Sequence, residues 1–195
     1  MPGNFSLYFV FAIMGFFLGS IMFALILPRH FKGIDIRKLS DDGNPGTANA
    51  VKYGGVALGL LCLLGDLLKA ALPVYLVRRF CGMDHPLFAL VMVAPVLGHA
   101  FSPFLGGHGG KAIAPAFGVL AVAFIFFSLV VVITPNRLRT IAAFLVLVIY
   151  SLLVNQHGSV ALGCILLSAT VILKHWRPLP QEVPGISFFG RHNPA

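Results

Sequence analysis

The chain has 195 residues, of which 58% are hydrophobic and 10% charged, against about 25% charged in ordinary soluble domains. A mean hydropathy of +0.92 leaves too little polar surface to cover a water-soluble globule. The net charge of +8, from 14 Lys and Arg against 6 Asp and Glu, would suit a nucleic-acid binder in a soluble chain; here it reads as cationic loops beside anionic headgroups, with no nucleic-acid partner.

The first apolar run, residues 5–27, has no basic stretch before it and exceeds the roughly 7–15-residue core of a signal peptide. It is expected as a retained helix. A polar loop follows over 28–50, then a helix over 54–77 interrupted by Gly65, Asp66 and Lys69. A third helix is expected over 86–105, then the loop Gly106-Gly107-His108-Gly109-Gly110-Lys111. An apolar stretch over 112–134 leads to a basic turn, two shorter segments over 140–154 and 159–173, and a Pro-rich tail. No repeat is evident. Residues 1–195 read as a single membrane domain with a peripheral tail over 178–195. Cys62, Cys81 and Cys164 lack CxxC spacing and read as packing residues, neither a disulfide framework nor a zinc site.

The positive-inside rule places Arg29, Lys32, Arg37 and Lys38 in the cytoplasm. Lys111 also falls inside. Folding 112–134 as a hairpin of two short helices puts the basic turn and Lys174 on the same side, whereas Arg78 and Arg79 run against the rule. The predicted architecture is an all-α, polytopic integral membrane protein with about seven transmembrane or half-membrane helices. Its N-terminus lies outside and its C-terminus in the cytoplasm, in the inner (plasma) membrane.

Polar residues are expensive in such a chain and so carry information. In Gly43-Asn44-Pro45-Gly46-Thr47-Ala48-Asn49, glycines allow successive N–H groups to converge on one anion. The loop ending in Lys111 adds flexible backbone and an ammonium just before an apolar segment, a candidate phosphate cradle. His99 and His108 gather with Lys111 at one face. It is not a nucleotide P-loop, because Ala112 follows the lysine where Ser or Thr is required. Asp66 and Lys69 lie one helical turn apart and can pair, as part of the fold or of the site. His175, between Lys174 and Trp176, reads by itself as part of an interfacial basic cluster. The histidines lack metal-ligand spacing and acidic residues are scarce, so neither metal nor cofactor is expected. No GxSxG elbow is present. The chemistry must therefore rest on positioned phosphates and charge stabilisation.

In chain order, Gly19-Ser20-Ile21, Gly33-Ile34-Asp35-Ile36-Arg37, Gly43-Asn44-Pro45-Gly46 and Asn49 resemble the first motif of PlsY-type acyl-phosphate:glycerol-3-phosphate acyltransferases. Gly65-Asp66-Leu67-Leu68-Lys69 with Leu72-Pro73 resembles that family's second helix. Gly98-His99-Ala100-Phe101 and Gly109-Gly110-Lys111-Ala112 resemble its GH…F…GGK motif, and His175 falls where its C-terminal RHxxNI begins. The resemblance implies a seven-helix membrane enzyme that moves an acyl group from acyl phosphate to the hydroxyl of glycerol 3-phosphate. The products are lysophosphatidic acid and phosphate, and the partners are these two substrates and membrane lipid. It implies catalytic roles for Lys111, His175 and Asn44. Gly43, Gly46, Asn49, Gly109 and Gly110 would hold substrate or phosphate in a site facing the cytoplasm, and the polar residues beside them, Thr47, Lys52, His99 and His108, are expected to join that set.

Several positions depart from the family pattern. Its Ser in SGNPG is Asp42, expected to repel a bound phosphate unless protonated or turned away. Ala48 replaces a Thr beside Thr47, Lys52 an Arg, His108 a Lys, Pro115 a Thr and Pro178 an Asn; Arg137-Leu138-Arg139-Thr140 replaces a Ser-rich motif. Asp42, Arg137 and Arg139 also suit the same fold with a different acceptor. Helix breaks and midplane charges suit a non-catalytic anion-binding or transport protein.

Overall fold

The computed structural model describes residues 5–123, 137–154 and 157–176. Among these, the regular elements are all helical: α1 (Phe5–Gly19), α2 (Phe23–Lys32), α3 (Ile36–Leu39), α4 (Thr47–Gly54), α5 (Val56–Phe80), α6 (Leu87–Ala100), a 3-10 turn (Pro103–Leu105), α7 (Ile113–Ala123), α8 (Arg137–Val154) and α9 (Gly158–Trp176). Among the described residues, three stretches are long and apolar enough to cross a membrane: Phe5–Lys32, Val56–Phe80 and Leu87–Leu105. The second half of the expected 112–134 hairpin and the Pro135-Asn136 turn lie outside the described residues.

The helix expected over 5–27 is two helices. α1 ends at Gly19, and α2 starts at Phe23 and runs through Pro28 to Lys32. A broken helix within hydrocarbon must have its freed backbone groups satisfied by protein. Here Ser20 O accepts from Ser102 Oγ at 2.8 Å, and Ile21 O accepts from Lys69 Nζ. The donors come from elements distant in sequence, so continuous hydropathy through the break conceals it.

The expected polar loop over 28–50 is also more ordered. Asp35 caps α3 by accepting from the Arg37 N–H at 3.1 Å, and its carboxylate takes Arg37 Nε at 3.0 Å and Nη2 at 2.6 Å. Ala24, Ile36, Ala50 and Cys62 form a small buried cluster under α3 and α4, joined by Phe23 and Tyr53. The segment is thus pinned across α2 and α5 by apolar contacts.

α6 is the central helix, packed against α1 and α9 and also touching α5 and α7. Its Phe88, Val91, Met92, Val96 and Ala100 are all buried, as an element apolar on every side should be. α5 shows the inverse of a soluble amphipathic helix. Leu60, Leu64, Leu68 and Leu72 form an exposed row, while Cys62, Asp66, Lys69, Ala70 and Pro73 face inward. That row suits lipid.

α1 and α6 approach through small residues, as close membrane helix pairs do. A Cβ on Gly98 would strike the Phe16 backbone carbonyl oxygen, and a helix backbone cannot swing aside as a side chain can. Gly98→Ala is expected to destabilise the protein by about 2 kcal/mol, read as a lower thermal midpoint in detergent. An unchanged midpoint would show that the two helices can separate without cost.

Candidate functional site

The site forms where the first loop meets the loop after α6. Gly43 adopts φ +60°, a turn that sends the following residues back toward α4. Asn44 is buried and its carbonyl accepts from Asn49 Nδ2 at 2.9 Å. Gly46 precedes α4 without a side-chain cap, so the first N–H groups of that helix lack the usual capping acceptor. A Cβ on Gly46 would lie 2.6 Å from Asn44 Nδ2, so this glycine lets the Asn44 amide pack against the turn.

Asp42 stands at the centre. Its Oδ2 accepts from Lys111 Nζ at 2.7 Å, and its Oδ1 accepts from Asn49 Nδ2 at 2.9 Å and from the Asn44 N–H at 3.1 Å. Burial pushes this carboxyl up, but the hydrogen bonds from Lys111, Asn49 and Asn44 outweigh it and hold the group below the ordinary carboxylate range. The acid that the sequence placed against a phosphate is therefore ionised and turned toward the lysine. Among buried side-chain atoms lacking a hydrogen-bond partner are Asn44 Oδ1, Thr47 Oγ1 and His108 Nδ1, which leaves polar capacity unspent on both loops.

The loop carrying Lys111 folds back on the end of α6. The Gly109 N–H donates to Ala100 O at 3.1 Å and the Gly110 N–H to His99 O at 3.0 Å. These two amides, expected from the sequence to face phosphate, instead seat the loop. A Cβ on Gly109 would strike the His99 carbonyl and one on Gly110 would strike His99 Nε2. Lys111 then leads into Ala112, at φ +60°, a region that costs a residue with a Cβ about 1 kcal/mol or more. This strained residue lies beside the lysine that reaches across to Asp42.

Beneath the loop lies a buried polar group. Lys69 Nζ is 2.7 Å from Asp66 Oδ1 and 3.0 Å from His99 Nδ1, and its remaining donor capacity goes to Ile21 O. An ammonium donating to His99 Nδ1 leaves the ring proton on Nε2, the nitrogen facing Gly110. His99, 2% exposed, thus lies below the loop, between the buried Lys69–Asp66 pair and Gly110.

The structure brings Asn44, Asn49 and Lys111 together around Asp42, with Gly43, Gly46 and Thr47 in the same turn. It does not bring in Lys52, whose exposed ammonium lies 3.5 Å from Asp41 Oδ2. The backbone of His175 belongs to α9, while its side chain and Pro178 lie outside the described residues. Two features escaped the sequence reading, the chelation of Arg37 by Asp35 and the Asp42–Lys111 pair. The capping position of Asp35 two residues before Arg37 was a usable signal for the first; the second joins residues too far apart for any local pattern.

Next to the loops, a cavity of about 550 Å³ opens at the α1–α2 break. Ile21, Met22, Leu25, Ile26, Phe104 and Leu105 give it apolar walls, and Arg29, Asp35 and Arg37 border it. A long apolar chain with a charged head matches that distribution.

Comparison with known proteins shows the family. A protein of Thermotoga maritima named glycerol-3-phosphate acyltransferase 2 is 42% identical over 113 residues, 58% of this chain and 57% of that protein. The shared part therefore spans little more than half the length of that relative. A glycerol-3-phosphate acyltransferase of Shewanella sp. strain ANA-3 is 28% identical over 182 residues, 89% of this chain and 88% of that one. The crystal structure of PlsY (YgiH), an integral membrane glycerol 3-phosphate acyltransferase in its glycerol 3-phosphate form, superposes with a TM-score of 0.78 at 26% identity. That match covers 87% of this chain and 88% of PlsY. The lysophosphatidic acid form gives a TM-score of 0.77 at 25% identity, over 86% and 87% of the two chains. The glycerol-3-phosphate acyltransferase family model matches residues 9–182, and the chain belongs to that family.

Proposed function

We infer that this protein transfers an acyl group from acyl phosphate to the hydroxyl of glycerol 3-phosphate, in a site facing the cytoplasm across the inner membrane. The observation that carries this reading is the convergence of Lys111, Asn49 and the Asn44 N–H on a single anion, the Asp42 carboxylate. Donors arranged around a carboxylate suit a phosphate oxygen as well. Crystal forms of the related PlsY with glycerol 3-phosphate and with lysophosphatidic acid support the choice of acceptor and product. The cytoplasmic orientation rests on Arg29, Lys32, Arg37, Lys38 and Lys111 lying on one side.

In this mechanism the acceptor hydroxyl attacks the acyl carbonyl carbon. The bond from that carbon to the bridging oxygen breaks, and inorganic phosphate leaves with the electron pair. The hydroxyl proton passes to phosphate, so no protein base has to be supplied. Lys111 stabilises phosphate charge, while His108 Nδ1, Thr47 Oγ1 and Asn44 Oδ1 offer polar capacity for the substrates. The cavity at the α1–α2 break receives the acyl chain, and Arg29 and Arg37 border it.

The test uses detergent-purified protein with palmitoyl phosphate and glycerol 3-phosphate, following phosphate and lysophosphatidic acid together. Equal amounts of both are expected. Phosphate release without lipid product would mean hydrolysis or another acceptor. No turnover beside an active relative assayed in parallel would remove the acyltransferase reading.

A further inference from the structure

Asp42 has two plain roles available to it. As a structural tie it joins the loop before α4 to the loop before α7. As an anion it fills the place that the site's cationic and amide donors were arranged to serve. Its geometry favours the second. All three of its donors belong to the groups assigned above to phosphate binding, and each meets it at 2.7–3.1 Å. The neighbouring Asp41 behaves differently, with its side chain 93% exposed and the Lys52 ammonium at 3.5 Å. The Asp42 and Lys111 side chains remain 43% and 29% exposed, so an anion from solution can reach the pair without any helix moving. The loops also keep their own supports once the pair opens. Gly109 and Gly110 are bonded to α6, and Ala50 and Tyr53 pack into the cluster under α4.

We propose that Asp42 is a resident anion occupying the phosphate seat, and that a substrate phosphate binds by displacing its carboxylate from Lys111 and Asn49. The carboxylate thereby sets the affinity for phosphorylated substrates and excludes weakly bound anions. The phosphate seat itself rests on the acyltransferase reading, but its occupancy by Asp42 can be measured without turnover.

The experiment measures binding of inorganic phosphate and of glycerol 3-phosphate to the full-length detergent-purified protein by calorimetry, for wild type, Asp42→Ser, Asp42→Asn and Asp41→Asn. Asp42→Ser is expected to bind both ligands about fivefold more tightly, the fold-change that matches displacement of one partly exposed ion pair. The gain should shrink with added salt. Asp42→Asn, isosteric with the native residue, should gain in the same direction and secures the test if serine perturbs the loop. Asp41→Asn removes the same charge one residue away and should change affinity little. Unchanged or weaker phosphate binding in both Asp42 variants would overturn the resident-anion role, as would an equal gain in Asp41→Asn, which would assign the effect to net charge. Tighter phosphate binding without acyl transfer would leave the seat standing and remove only the acyltransferase reading; acyl transfer with unaltered affinities would do the reverse.

Discussion

On the proposed function, Lys111→Ala is expected to lower acyl transfer by about two to three orders of magnitude, the scale of losing one donor that stabilises charge on the transferring group. Lys111 is a cation from the loop after α6 that reaches the anion centre of the first loop. Its partner there is Asp42, so alanine leaves that carboxylate held only by Asn49 and the Asn44 amide. Two losses then combine. Phosphate loses its cation, and an uncompensated negative charge remains beside the seat. The fold should survive, because Lys111 is partly exposed and the flanking Gly109 and Gly110 amides are anchored to α6 without it. Steady-state kinetics should therefore show a raised KM for glycerol 3-phosphate together with a lowered kcat, at an unaltered thermal midpoint. Lys111→Ala/Asp42→Ser should recover part of the KM and little of the kcat, because it removes the repulsion and restores no cation. Turnover of the single variant within a few-fold of wild type would remove Lys111 from the chemistry.

The membrane class and the main helices were legible because hydropathy reports burial in lipid directly. The expected helix over 54–77 corresponds to α5, and that over 86–105 to α6 with its 3-10 turn. The break after Gly19 was illegible for an energetic reason. Gly19 and Ser20 sit inside a run that is apolar on both sides, and the donors that satisfy the freed carbonyls, Lys69 and Ser102, lie far along the chain. α4 was hidden by composition, since the Gly, Asn and Pro before and within it read as turn residues whatever they later pack against, and α3 is a four-residue turn too short to show a helical period. Yet Ile36 and Ala50 are fully buried, and an apolar side chain isolated in a polar loop is a sign of such anchoring.

Within the site, residue type was more informative than role. Lys111, Asn44 and Asn49 stood out because polar groups are costly in this chain, and the structure brings them together. Gly109 and Gly110 stood out equally, and yet their amides serve α6. A glycine run indicates that backbone comes close to something; it does not identify what. Asp42 shows the same limit for charge. From sequence it could only be placed against a phosphate, whereas its partner lies 69 residues onward and converts an apparent repulsion into an ion pair.

The buried Lys69 is expected to matter more for stability than any other polar residue described. Lys69→Met leaves Asp66, 1% exposed, without its counter-ion, a loss of about 3–5 kcal/mol for breaking a buried pair. It also orphans Ile21 O at the helix break and removes the donor to His99 Nδ1. The variant should yield little monodisperse protein, with a sharply lower thermal midpoint in detergent. Replacing both partners separates these contributions. Asp66→Leu/Lys69→Met discards the unpaired charge and should regain much of the stability, because a buried ion pair exchanged for apolar side chains is often neutral. It cannot regain all of it. The Ile21 carbonyl still needs a donor that methionine lacks, a residual cost of about 1–3 kcal/mol. Double-variant stability equal to wild type would mean that the break at Ser20–Met22 finds another donor, and a single variant of wild-type stability would show that Asp66 is uncharged when folded. Activity supplies the independent readout. His99 lies between Lys69 and Gly110, so a folded double variant should have a loosened loop after α6 and reduced turnover, although every residue around Asp42 is intact.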